Sequence, residues 1–148
     1  MKLIVLQGLD IPETEITIRC NVMDQRLNKL LEHIREHSFT LEGRDGNAAY
    51  QIPLEQIVYL DSVDGRSFIY TDKQTYETRD TLAALEERLR NTAFIRISKN
   101  CILNLSFLKC VAPMWNHRME ATLKNGEKLI ITRNYIDGLK QKLSQEGV

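Results

Sequence analysis

Three short polar groups carry most of the chemistry this sequence offers, and the clearest is Ser98-Lys99-Asn100 inside FIRISKNCILN, residues 94–104. An apolar strand breaks there, shows three hydrogen-bond donors and one fixed positive charge, and then resumes. Donors clustered in this way gain nothing inside a packed sheet, so their partner is expected outside the fold. Gly65-Arg66-Ser67 and Arg133-Asn134 stand at comparable junctions between β segments, and each again holds a fixed cation. Arg bonds bidentately to guanine edges, Lys bonds guanine or phosphate, and Ser or Asn positions the backbone or reads adenine, so such loops suit a DNA groove. Taken singly, each group reads first as a solvated turn.

Two literal motif matches point elsewhere and fail on context. His33-Ile34-Arg35-Glu36-His37 fits HxxEH, in which two histidines one turn apart bind zinc and the glutamate activates water. A third ligand from a further helix is required, but strands follow this helix, and both histidines fall on the polar side of the stripe set by Leu27, Leu30 and Ile34. Ser106-Phe107-Leu108-Lys109 fits SxxK, yet it follows the loosely matching SxN of residues 98–100 where it should precede it, and it lies in a strand. His117 stands alone in a turn-like Trp115-Asn116-His117-Arg118 stretch and reads as a surface-loop histidine rather than a general base. No enzyme, metal site or cofactor site emerges.

The elements that must position the three groups are mostly strands. Residues 11–20 alternate late, with Ile16, Ile18 and Cys20 against Glu15, Thr17 and Arg19, which predicts a half-buried strand. Asn21 with Asp24 resembles a capping box, and Met23, Leu27, Leu30, Leu31 and Ile34 predict an amphipathic helix over about 22–37. Short strands are expected at 39–42, 48–53, 57–62, 67–71 and 76–79, with turns at 44–47 and at Asp64-Gly65. Asp80 or Thr81 caps a short helix carrying Leu82, Leu85 and Leu89. Strands follow at 94–98, 102–103, 108–112, 119–124 and 128–132, the last two joined by Asn125-Gly126, the strongest hairpin signal in the chain. Asn134 and Asp137 are expected to box a last helix through Leu143. This succession excludes an alternating parallel α/β sheet, and no helix-turn-helix is visible.

A chain of 148 residues, 43% apolar and 27% charged, suits one soluble domain with a small appendage. The opening MKLIVLQGLDIPE has too short an apolar run for a signal peptide or a membrane span, which predicts a cytoplasmic protein. Cys20, Cys101 and Cys110 lack CxxC spacing and read as buried reduced thiols. Net charge is zero but graded: residues 1–50 carry six Lys or Arg against eight acids, residues 51–93 five against eight, and residues 94–148 nine against four. The basic end is the one that holds Lys99 and Arg133.

Residues from about 48 to 145 resemble a LytTR DNA-binding domain, the non-helix-turn-helix output module of many bacterial response regulators. The resemblance rests on IVYLDSVDG (57–65), DTLAALEERL (80–89), FIRISKNCILN (94–104) and LKNGEKLIITRNYIDGLKQKL (123–143), in that order. It implies a mainly β fold with short helices, an elongated antiparallel multi-sheet arrangement that places loops into successive major grooves of repeated short elements. It also implies base-reading positions near Arg66 or Ser67, at Lys99 and at Arg133, with Ser98, Asn100 and Asn134 beside them as phosphate contacts. Ser67 and Ser98 stand where members of that family often have histidine, so the DNA sequence read is expected to differ. For Arg96 and Asn104, which also match the block, salt bridging or turn capping is an equal alternative.

The expected organisation is a strand-helix extension over 1–45 and a LytTR-like domain over 46–148. Residues 1–45 are too few for the doubly wound receiver domain that normally precedes this module, so the chain reads as a stand-alone regulator. The extension packs on the β domain, pairs two protomers or docks another protein. The resemblance implies double-stranded DNA carrying direct repeats as partner, with a homodimer as the expected state and a membrane protein as regulator. The alternative is a protein-interaction module that kept the fold and lost the DNA surface.

Overall fold

The computed structural model of the protein describes residues 1–11 and 14–145. Helix α1 (Gln25–Ser38) is followed by strands β1 (Thr40–Asp45), β2 (Ala48–Pro53), β3 (Ile57–Val63), β4 (Arg66–Thr71) and β5 (Thr75–Thr78). Helix α2 (Leu82–Arg88) leads to β6 (Phe94–Ser98), β7 (Cys101–Asn104), β8 (Leu108–Pro113), β9 (Met119–Leu123) and β10 (Lys128–Ile131), and α3 (Arg133–Gln145) follows. Seven strands form one antiparallel sheet in the order β2-β1-β5-β4-β3-β7-β6, and three form a second in the order β10-β9-β8. Neither sheet closes into a barrel. The expectation of a mainly β, antiparallel, multi-sheet fold with short helices holds.

The large sheet is covered on both faces, which explains why its interior strand β3 reads Ile57-Val58-Tyr59-Leu60 without a polar break. Leu60, Ile69 and Ile102 pack with Leu82 and Leu85 of α2 and Leu89, its C-cap, in one core. Val58, Leu103 and Ile97 pack with Leu123 and Ile131 of the small sheet and Leu139 of α3 in the other. Neighbours on β7, Ile102 and Leu103, thus enter opposite cores, as the two-residue period of a strand requires. A bulge between Ile57 and Tyr59 shifts the register of β3 and lets both residues of each pair find an apolar side.

Turn chemistry departs from the sequence reading in one instructive place. Asp64 and Gly65 both have positive φ, +52° and +76°, the two-residue geometry that matches strand twist in a tight hairpin. At Asn125-Gly126 only Gly126 is left-handed, at +89°; its N–H donates to the Leu123 carbonyl and the loop takes three residues. Asn125 instead accepts from the Glu127 N–H through its side chain.

The amino-terminal region also differs. No strand forms over the described residues of 11–20; an alternating segment with a polar face on every second residue needs a neighbouring edge, and none pairs with it here. Helix α1 starts later than expected, because Asp24 itself is the cap, accepting from the Leu27 N–H at 2.8 Å. Leu27 is buried, while Met23 and Leu30 stay exposed. Cys20 and Cys110 are exposed rather than buried, the latter on the outward side of β8, and all three thiols are free. His37 pairs with Glu55 at 2.6 Å, away from any metal-like cluster, and His33 is exposed.

Candidate nucleic-acid interface

The β6–β7 turn is built by a bulge. Ser98 pairs with Cys101 and Arg96 with Ile102, so Ile97 is the extra residue in its strand. Its side chain is buried in the second core, and its carbonyl, released from the ladder, accepts from the Thr132 N–H at 3.0 Å just before α3. On the other side of the same turn, the Asn100 carbonyl accepts from the Ser62 N–H at 2.9 Å on β3. These two backbone bonds hold the three sequence groups in a row: the β3–β4 hairpin, the turn at 98–100, and the start of α3.

Within that row the side chains fare differently. Lys99 and Asn100 are exposed, and Ser98 accepts from the Asn100 N–H at 3.3 Å, which fixes the turn. Arg96 braces it from behind: Nε donates to the Ser98 carbonyl at 3.1 Å, the guanidinium donates to the Lys99 carbonyl, and Glu86 lies 3.4 Å away. Arg133 and Asn134 are exposed at the first turn of α3; Asn134 lies inside the helix and does not cap it. The first group is less open than its sequence suggests. Ser67 is buried at 6% exposure, facing the interior because it precedes Phe68 on a strand whose outward residues are Arg66 and Phe68. Arg66 is exposed but forked onto Glu77 at 2.9 and 2.8 Å, above the Phe68 ring. That carboxylate raises the guanidinium pKa further.

Behind the turn lies a polar pair of carboxyls. Tyr59 donates to Glu127 at 2.7 Å and stacks on Tyr70, whose hydroxyl donates to Asp61. Burial raises the Asp61 pKa against the opposing Tyr70 hydrogen bond, with Glu127 adding to the rise. One Asp61 oxygen, Oδ1, is buried with no partner among the described residues. Burial, with both carboxyls nearby, pushes the Cys101 thiol up to about 12. Asn104 is structural: its amide donates to the Ile57 carbonyl at 2.8 Å and its oxygen accepts from the Ser106 N–H at 3.0 Å.

The row of turns occupies the region in which known proteins agree with this chain. Residues 47–144 match the model of the LytTr DNA-binding domain. The chain belongs to that family. It is 34% identical over 92 residues to the sensory transduction protein LytT of Bacillus cereus, covering 62% of this chain and 37% of that protein. With the sensory transduction protein LytT of Enterococcus faecalis it shares 32% identity over 110 residues, 74% of this chain and 44% of the relative. The chain therefore spans less than half the length of these LytT proteins. A solved LytTr DNA-binding domain from Bacillus cereus shares the fold with a TM-score of 0.67 at 19% identity, covering 71% of this chain and 96% of that one.

One feature of the surface is not apparent from the sequence. Arg133 and Asn134 line an open groove of about 830 Å³ whose other wall is the β8–β9 loop with Trp115, His117 and Arg118. Arg118 meets the criterion that singled out the other groups, a fixed cation at a junction of β segments.

Proposed function

We propose that this chain is a bacterial transcription regulator that binds double-stranded DNA sequence-specifically, at repeated short elements, through the turn at 98–100 and the start of α3. The carrying observation is the pair of exposed cations, Lys99 and Arg133, presented by segments that the Ile97–Thr132 backbone bond ties together. In this reading Lys99 and Arg133 reach base edges, and Ser98, Asn100 and Asn134 contact phosphates. Arg66 flanks them under the control of Glu77, and Ser67 shapes the hairpin from inside. Loops entering successive major grooves suit direct repeats bound by a homodimer in the cytoplasm, with a membrane protein as the partner that relays the signal.

Selection from random duplexes followed by sequencing tests this reading, together with titration of the selected duplex at several salt concentrations. An enriched repeated element and a log-log slope of about −0.9 per neutralised phosphate are expected. No enrichment and no salt dependence would leave the fold as a protein-interaction module.

A further inference from the structure

The groove beside Arg133 has two walls of different origin. One is the first two turns of α3, with Arg133, Asn134, Asp137 and Lys140; the other is the β8–β9 loop. That loop is closed by the Met114 N–H donating to the Arg118 carbonyl at 2.8 Å, and it turns through left-handed Asn116 and His117, with φ of 63° and 57°. Its tip holds Trp115, the only tryptophan of the chain, 80% exposed.

Ion pairs cover several of the cations elsewhere on the surface, and this groove gathers three that have none among the described residues. Arg66, Arg88, Arg90, Arg96 and Lys128 each lie within 3.4 Å of a carboxylate oxygen. Arg118, Arg133 and Lys140 have no ion-pair partner among the described residues, although they line one groove. Asp137 is the one carboxylate in the lining, so fixed positive charge is in excess there. A concave surface with spare cations on both walls and an exposed indole at its rim fits a polyanion that has ring and sugar surface as well as charge. A duplex backbone supplies regularly spaced phosphate charge together with sugar surface that an indole can cover.

We propose that the β8–β9 loop is a further part of the duplex interface: the sugar–phosphate backbone lies along this groove, with Arg118 and Lys140 on phosphates and Trp115 covered by the strand. The proposal rests on the DNA-binding function above and extends it, because DNA read by Arg133 is brought against the same groove. Arg118 and Lys140 then supply affinity that is independent of sequence, whereas Arg133 supplies discrimination.

The test uses the full chain and a fluorescein-labelled mixed-sequence duplex three helical turns long, with polyglutamate as a purely charged competitor. Saturating duplex is expected to shield Trp115 from acrylamide quenching, and polyglutamate is not. The Arg118→Ala, Lys140→Ala double variant is expected to reduce the magnitude of the salt slope by about 1.8, two contacts at about 0.9 each, and to weaken all duplex sequences equally. The charge-keeping Arg118→Lys, Lys140→Arg pair is expected to hold the slope, which separates lost contacts from a disturbed loop. If duplex leaves Trp115 quenching unchanged and the double alanine variant keeps the wild-type slope while Arg133→Ala weakens binding, the groove assignment is wrong and the DNA-binding reading stands. If the wild-type chain shows no salt-dependent duplex binding, both are wrong.

Discussion

Replacing Asn104 by alanine is expected to unfold the domain more readily without touching the DNA surface. Asn104 is 1% exposed, and its amide joins three elements: the end of β7, the carbonyl of Ile57 on β3, and the N–H of Ser106 in the short helical turn that follows. Alanine leaves the Ile57 carbonyl unpaired beside a residue that is itself fully buried. An orphaned buried acceptor costs about 1–3 kcal/mol, and the loss at the part-buried Ser106 N–H adds about 1 kcal/mol. A total near 3 kcal/mol lowers the melting temperature by roughly 10 °C for a chain of this size. Asn104→Asp sharpens the test, since it keeps the volume and the acceptor for Ser106 but turns a carboxylate oxygen toward the Ile57 carbonyl. It should be at least as unstable as the alanine variant at neutral pH. Thermal unfolding followed by circular dichroism measures both, and duplex titration well below the transition should find nearly wild-type affinity. A melting temperature within about 2 °C of wild type for Asn104→Ala would refute the assignment of Asn104 to the fold.

Three further outcomes follow from the same geometry. Lys99→Ala and Arg133→Ala should each weaken the selected duplex by about 1–3 kcal/mol with melting temperatures unchanged, as gel shifts beside melts will show. Arg66→Ala should leave the urea midpoint nearly unchanged, because Arg66 is exposed, its partner Glu77 is partly exposed and water screens the pair. Stability should fall as pH rises from 9 to 12: Cys101 and Tyr70 have ordinary values of 9.0 and 10.0 and are both pushed up to about 12 in the folded chain. With the folded value above the unfolded one, their contribution is complete below pH 9 and is lost through that window. Cys101→Ala should flatten its lower part, and an unchanged urea midpoint across the window in wild type would contradict the half-buried placement of the thiol.

Period and punctuation made most of the β domain legible. Continuous apolar runs marked strands covered on two faces, and Thr81, one of the two caps considered for α2, does cap it, accepting from the Ala84 N–H. The polar break at residues 98–100 was visible because three donors interrupted an apolar run. Invisible was the cause of its position, the bulge at Ile97, since a bulge leaves the residue types of a strand unchanged and alters only which carbonyl is free. The inward turn of Ser67 and the pairing of Arg66 with Glu77 were hidden for a similar reason. Both depend on the register between β4 and β5, which is a property of two strands and not of either segment alone. The failed strand over 11–20 shows the reverse: alternation states which face would be buried, but it supplies no neighbouring edge.

That unpartnered stretch carries the last expectation. Leu3, Ile4, Val5 and Leu6 are all more than half exposed, and so are Leu9 and Val22. Only part of the amphipathic stripe of α1 is covered within the chain: Ile16, Ile18 and a half-exposed Met23 approach Leu31 and Ile34 around a small groove, while Leu30 remains exposed. Burying residues 3–6 of one protomer against a second copy gains about 6–12 kcal/mol, twice that when the contact is reciprocal. Association and ordering cost about 4–15 kcal/mol, so a net gain near 8 kcal/mol and a Kd of about 1 μM follow. Two linked domains would then occupy paired DNA elements with steep concentration dependence. Sedimentation of the full chain and of a chain beginning at Phe39 is the deciding measurement, with the full chain expected to be dimeric and the shortened one monomeric. Should both sediment as monomers at roughly ten times that Kd, with the shortened chain binding paired elements as tightly as the full one, residues 1–38 serve only their own protomer.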